Sequence, residues 1–350
     1  YIAYDVSSIS TYSSNIEIAE WGYNRDDENL PQINLGMYYG VTSHVPMYYN
    51  LYSGSIPDKT YLDFMMTGAR DIGIKDVCFI MDRGFVADEN IQCLLEKQYS
   101  FITALPGQWL DALKLIDENK LEVRKSANRI SEYEVYGIKR SINLGNTQLN
   151  AHIYYDPEKQ AFDEKELYTH IGKLKAELEK MKKSKRATKK YKNYFVIDEK
   201  AKGVTAFELD ADKVDKKLEM AGYFILLSSK LDLSSGEVLR IYRSRDVIEK
   251  NFEQFKNRLD FKRMRTHWAK ATEGKMFVGF IALIIRSHME RLIKSDQQTK
   301  RMTFEKAMLE LRKIKTVTMS DGSNAMIPLT KQQKTILSVL NVKTIGLPGK

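Results

Sequence analysis

The chain has 350 residues, 43% hydrophobic and 29% charged, with 55 lysines and arginines against 46 acids and a formal net charge of +9. That balance excludes wholesale disorder, a collagen-like fibre and a membrane bundle, and no apolar run approaches the roughly 18 to 20 residues of a membrane helix. Cys78 and Cys93 have no further thiol or histidine at ligand spacing. This excludes a disulfide scaffold and a zinc finger, and fits a reducing, cytoplasmic setting. Tyr1 opens inside a strand-like run, so the chain reads as a fragment whose upstream part is missing.

Taken in order, Ile2–Val6 is an apolar strand that ends in an acid, Asp5. Gln32–Gly40 and His44–Leu51 are Tyr-rich and strand-prone, joined by a hairpin at Gly40-Val-Thr-Ser. A helix follows from Pro57-Asp58, with Tyr61, Leu62, Met65, Met66 and Ala69 at helical spacing up to Gly73. Asp76–Met81 is apolar on both faces, as in a central strand covered on both sides. Asp88–Lys97 reads as a short helix and Ser100–Leu105 as a strand. The order β-β-β-α-β-α-β is a mixed α/β sheet whose first three strands form a meander.

From residue 107 the character changes. Glu122–Lys125, Tyr133–Lys139 and Gln148–Tyr155 read as strands. Asp163–Lys192 reads as one long helix with a narrow stripe of Leu167, Ile171, Leu174, Leu178 and Met181. Tyr194–Ile197 and Ala221–Ser228 return as strands. The expected organisation is a core over 1–106, an insertion over 107–228, a helical second part of the core over 229–315 and a tail over 316–350. A continuation of one domain is the plain alternative. In the helical part, Ser234/Ser235 caps a helix to about Leu259. Helices over Thr272–Ile293 and Thr303–Ile314 follow, and Gln332–Val339 carries the tail's core residues.

Two acids close apolar strands, Asp5 and Asp82. Carboxylates brought together at strand ends repel unless a cation bridges them. Few carboxylates and several waters favour Mg²⁺. On the helix from Ser235, at about 100° per residue, Tyr242, Arg245, Glu249 and Lys256 share an arc of about 60° beside an apolar stripe. Glu253 stands on the same flank, a rival to Glu249. The plain alternatives are turn residues for the two aspartates and an i, i+4 ion pair for Arg245 and Glu249. Lys182–Lys192 holds seven basic residues and no acid, and 243–265 holds eight against four acids. Each is either a solvated helix face or a nucleic-acid contact.

The spacing Tyr242-x2-Arg245-x3-Glu249-x6-Lys256 resembles the Tyr-Arg-Glu-Lys signature of the type-four group of insertion-sequence DDE transposases. Asp5-Val-Ser-Ser-Ile-Ser, Gly22-Tyr-Asn-Arg-Asp with Leu30-Pro-Gln-Ile-Asn-Leu-Gly, and Asp82-Arg-Gly-Phe with Asn90 resemble other segments of the family in the same order. Gly274-Lys275 departs from the Gly-His common among relatives. The resemblance implies an RNase H-like five-stranded mixed sheet with flanking helices, interrupted by a β-rich and long-helix insertion before the last catalytic helix. It implies Asp5, Asp82 and Glu249 as the catalytic, metal-binding triad, holding two Mg²⁺ or Mn²⁺ ions. It implies Tyr242, Arg245 and Lys256 as contacts to DNA phosphates. Lys182, Lys183, Lys185, Arg186, Lys189 and Lys190 are further candidates for the DNA backbone. The implied partners are double-stranded DNA, as transposon ends and target, and a second copy of the chain, with no membrane. The implied setting is the bacterial cytoplasm, at the nucleoid when active. A nuclease that does not join strands and an inactive DNA-binding remnant are the competing readings.

Overall fold

Strand β1 (Ile2–Thr11) runs well past the apolar segment that announces it. Ser7, Ser8, Ser10 and Thr11 are small enough to lie buried along it. β1 pairs antiparallel with β2 (Gln32–Gly40), with Asp5 opposite Met37, and β2 pairs with β3 (Val45–Ser53). This is the expected meander. Asp5 therefore sits within a strand and does not close one, a correction to the reading from apolar residues alone. α1 (Asp58–Asp71) buries Leu62, Met65, Met66 and Ala69. β4 (Cys78–Met81) is buried throughout and delivers Asp82 at its end. The computed structural model describes residues 1–342 apart from 72, 75, 108–109, 145–146, 182–187, 201–202, 230–231 and 323. It divides into Tyr1–Phe79 with Ser244–Lys350, and Ile80–Arg243.

The second unit begins with a 3-10 turn at Arg83–Phe85, then α2 (Asp88–Glu96), β5 (Ser100–Ala104) and α3 (Leu110–Val123). The strand expected over Glu122–Lys125 is absent; Glu122 belongs to the last turn of α3. Ala112, Ile116, Asn119 and Val123 are its buried row. Their spacing is helical, and two apolar residues at its end had the look of alternation. After β6 (Arg129–Ile130), β7 (Val135–Leu144) and β8 (Thr147–Tyr155) comes α4 (Pro157–Met181). The expected helix to Lys192 stops earlier: α5 (Lys189–Lys192) is a separate turn of helix. Then follow β9 (Phe195–Lys200), β10 (Gly203–Leu209), α6 (Ala211–Glu219) and β11 (Tyr223–Ser228). β11 pairs antiparallel with both β5 and β8, and β8 pairs with β7. A separate small core gathers Ile171, Leu174 and Leu178 of α4 with Tyr191, Phe195, Val204 and Val214. That explains the narrow stripe read on this helix.

The helix expected over Ser235–Leu259 is two helices, α7 (Ser235–Arg243) and α8 (Asp246–Arg258). They part at Ser244–Arg245. Serine in a helix interior offers the backbone a competing hydrogen bond and holds a helix weakly. The capping at the start is as expected: the Ser234 hydroxyl accepts from the Glu237 amide, and the Glu237 carboxylate accepts from the Ser234 amide. The first unit closes with β12 (Arg263–Met264), which pairs parallel to β1, α9 (Ala269–Ser295), α10 (Phe304–Arg312), the hairpin of β13 (Thr316–Thr318) and β14 (Asn324–Met326), and α11 (Lys331–Val339). Its main core joins Ala3, Ile9, Leu35 and Met37 to Ile248, Phe252 and Phe255 of α8 and to Met276, Phe280 and Leu283 of α9. The architecture is mixed α/β with helices flanking the strands, as expected, but the sheet exceeds the five strands expected, because β11, β8 and β7 of the expected insertion continue it from β5. Among the described residues no helix is long and apolar enough to cross a membrane.

Within the second unit, His152 of β8 is fully buried between two hydroxyls, Ser235 Oγ at 3.1 Å and Ser228 Oγ at 3.3 Å. Burial pushes its imidazole down to about 4, and the Lys139 ammonium on β7 adds to that. The unfolded chain takes up this proton first, near pH 6.5. The stability contributed by the neutral ring is therefore complete above about pH 6.5 and is lost as the pH falls toward 4. The difference amounts to about 3 kcal/mol. Urea unfolding at pH 7 and pH 4 should lose about that much more stability in the wild type than in His152→Gln; equal losses would refute the assignment.

Candidate active site

Strand alternation settles the direction of Asp5. Ala3 and Ile9, at even spacing from it, lie in the core shared with α8. Asp5 therefore projects to the side of β1 on which α8 packs, and α8 carries Glu249 next to its buried Ile248. One Asp5 oxygen accepts the Val6 amide at 2.8 Å. Glu249 is exposed and forms an ion pair with Arg245 one helical turn back, at 2.8 Å. The i, i+4 pair is thus present. Arg245 is the better buried partner, with 12% of its side chain exposed against 52% for Glu249.

Asp82 belongs to the other unit, where it caps the 3-10 turn after β4. Its Oδ1 accepts the Arg83 amide at 2.8 Å, the same bond that Asp5 makes to its own successor. The Thr103 hydroxyl of β5 donates to the Asp82 carbonyl at 3.3 Å, and the buried Asn90 amide donates to the Phe85 carbonyl at 2.8 Å. Asp82-Arg-Gly-Phe and Asn90 are therefore one hydrogen-bonded structure. Tyr242, at the end of α7, donates to Asp82 Oδ1 at 3.4 Å. The single helix expected to carry Tyr242, Arg245, Glu249 and Lys256 is two helices: Tyr242 lies on α7, Arg245 at the break, and Glu249 and Lys256 on α8.

The three acids expected at the site, Asp5, Asp82 and Glu249, are each of the donor type a hard divalent cation takes, with neither thiolate nor imidazole among them. Among the described residues, no group of three or more His, Cys, Asp and Glu side chains stands in an arrangement that could hold a metal ion. Glu253, the rival acid, is exposed on α8 and lines a groove with Lys250, Gln254 and Asn257. Lys182, Lys183, Lys185 and Arg186 lie outside the described residues. Lys189 is exposed on α5, and Lys190 pairs with Glu177 at 2.8 Å.

Lys256 shows what the spacing alone missed. Its ammonium donates to Asp26 at 2.7 Å, with 11% and 21% of the two side chains exposed. Burial pulls the Lys256 ammonium below the usual lysine range against the opposing Asp26 carboxylate. Asp26 lies in the segment Gly22-Tyr-Asn-Arg-Asp, which fastens to its unit at several points. Arg25 pairs with Asp58 and donates to Ser8 Oγ, Tyr52 donates to Asp58, and Arg263 binds Glu28 at 2.9 Å. Gly22 opens the segment where no side chain fits: a Cβ would lie 1.9 Å from the Gly54 carbonyl oxygen. The segment's likeness to the family was a signal, but which of its polar residues pair depends on folding across more than 200 residues. Asp26→Ala should cost about 3 kcal/mol by stranding a largely buried ammonium. Adding Lys256→Met should recover most of it in chemical denaturation. A single variant no less stable than the double would show that the pair is not what holds the segment.

The sequence profile of the family described as transposase DDE domain matches residues 2–285. No curated protein matches the sequence. Among solved structures, the cryo-EM structure of a piggyBac transposase synaptic complex with hairpin DNA is similar over the whole chain, at 9% identity and a TM-score of 0.45. The chain spans 58% of the length of that transposase. With its profile match running from β1 through most of α9, the chain belongs to the transposase DDE domain family.

Proposed function

We propose that this protein is a DNA transposase that cuts at transposon ends and joins the freed 3′-hydroxyls to target DNA, and that its Tyr-Arg-Glu-Lys spacing places it in the type-four insertion-sequence group. The observation that supports it best is the projection of Asp5 toward the helix that carries Glu249, in a chain matched to the family over both. We assign Asp5, Asp82 and Glu249 as the groups that hold two Mg²⁺ or Mn²⁺ ions. When bound, such a pair activates water or a 3′-hydroxyl and stabilises the leaving oxygen. The carboxylates have only to hold and orient, since phosphoryl transfer depends on positioning and charge neutralisation. Glu249 is preferred to Glu253 because it stands at the signature spacing and beside Arg245. Before DNA arrives, the Arg245 guanidinium neutralises Glu249; with DNA bound it would turn to a phosphate. Tyr242 would hold Asp82 and approach the same strand. Lys256 would add positive charge while Asp26 fixes its position.

Within this reading, residues 107–228 are an insertion into an RNase H-like core made of 1–106 and 229–315, with 316–350 as a tail. A transposon has two ends and each chain has one set of the three acids, so two copies are expected in the DNA complex. The bacterial cytoplasm, at the nucleoid during transposition, is the setting that fits. On duplexes carrying the terminal sequences of the element that encodes the chain, the wild type should nick with Mg²⁺ or Mn²⁺ and form joints from 3′-hydroxyl ends. Asp5→Asn, Asp82→Asn and Glu249→Gln should each lower nicking roughly 10³-fold while retaining DNA binding. Wild-type nicking by any of the three would remove that residue from the site. Cut products without joints would make the protein a nuclease.

A further inference from the structure

The outer faces of α8, α9 and α10 enclose a groove of about 550 Å³ that none of the three acids lines. It continues into a hollow of about 430 Å³ through the shared residues Lys250, Gln254, Glu290 and Lys294. Its floor is Arg286, 9% exposed. Arg286 pairs with Glu290 at 2.9 Å and Glu305 at 2.6 Å, donates to Gln254 Oε1 at 3.1 Å, and lies 4.2 Å over the Phe304 ring. Two of the groove's carboxylates are thus occupied by one buried guanidinium. Arg258 also reaches Glu305, at 3.8 Å.

The rim is different. Lys250, Lys294 and Arg301 are exposed, and among the described residues none of them has a carboxylate within ion-pair distance. Glu253 is the remaining acid of the lining, so the open part of the groove is positive. Lys250, Gln254 and Arg258 recur every four residues on α8, as do Arg286, Glu290 and Lys294 on α9. Each row is about 12 Å long. Phosphates follow one another at about 3.4 Å of axis per strand, so such a row spans about three of them. Lysine is depleted in the cores of protein–protein interfaces, which weighs against a protein occupant. Amide side chains, Gln254 and Asn257, add neutral hydrogen-bonding groups suited to phosphate oxygens.

We propose that this groove binds the phosphate backbone of duplex DNA, as a binding surface additional to Tyr242, Arg245 and Lys256. The proposal rests on the reading of the chain as a DNA-acting enzyme. The test is duplex binding by the full chain as a function of salt, comparing the wild type with the combined Lys250→Gln, Lys294→Gln and Arg301→Gln variant. All three side chains are exposed, so the unfolding midpoint should stay at its wild-type value. The slope of log K against log salt should fall by about 2.7, at about 0.9 for each phosphate no longer neutralised, and equally for unrelated sequences. Each single substitution should lower it by about 0.9, which gives the same reading should the triple variant be unstable. An unchanged slope and affinity would overturn the proposal, as would a loss confined to one sequence. Loss of polyglutamate binding with duplex binding intact would assign the groove to an acidic polypeptide and overturn it too. A wild type that binds duplex with the expected slope but never nicks would sink the enzymatic reading and leave the groove standing.

Discussion

The pairing of β1 with β2 decides where Asp5 points. Along a strand the side chains alternate, so a slip of one residue would carry the carboxylate to the opposite face and bring Tyr4 to the side of α8. The register is held by the apolar residues that share that face. Ala3 and Ile9 on β1, and Leu35 and Met37 on β2, are buried with Ile248, Phe252 and Phe255 of α8. The same packing that stabilises the first unit thus orients one acid toward the helix bearing another. No separate device is needed to aim Asp5 beyond the amide of Val6, which holds one of its oxygens.

Charge in the first unit is organised in pairs around that packing. Lys256 with Asp26, Arg263 with Glu28, Arg25 with Asp58 and Arg245 with Glu249 each set a cation against a carboxylate. The better buried pairs hold the segment between β1 and β2 in place; breaking one strands a charge, which costs more than the pair itself contributes. The Arg245–Glu249 pair is more exposed and so the easiest to exchange for a phosphate or a cation. On the far stripe of α8 the pattern changes: Arg286 of α9 takes up Glu290 and Glu305, and among the described residues Lys250 of α8 and Lys294 of α9 have no carboxylate within ion-pair distance.

Much of this was legible in the amino-acid sequence. β2, α1, β4, β8 and α9 follow from periodicity, because each buries a face or a whole strand and its pattern is long enough to read. The family's motif spacing was legible as well, and it singled out Asp5, Asp82 and Glu249 as the acids to propose for the site. The end of β1 was not, because Ser7, Ser8, Ser10 and Thr11 look like turn residues and are buried by their neighbours. The break between α7 and α8 was hidden because Arg243, Ser244 and Arg245 leave the apolar period intact on both sides. The last turn of α3 imitated a strand. The partner of Lys256 could not be read at all: Asp26 is 230 residues away, and only the folded chain brings the two together.

The account stands on Asp5, Asp82 and Glu249 serving one cation site. Iron(II), which takes oxygen ligands in place of Mg²⁺ and cuts nearby backbone with peroxide, maps such a site directly. In the protein bound to DNA, the account predicts peptide cleavage close to all three positions, suppressed together by excess Mg²⁺ and by Asp82→Asn. Cleavage beside only one of them, or elsewhere in the chain, would contradict it.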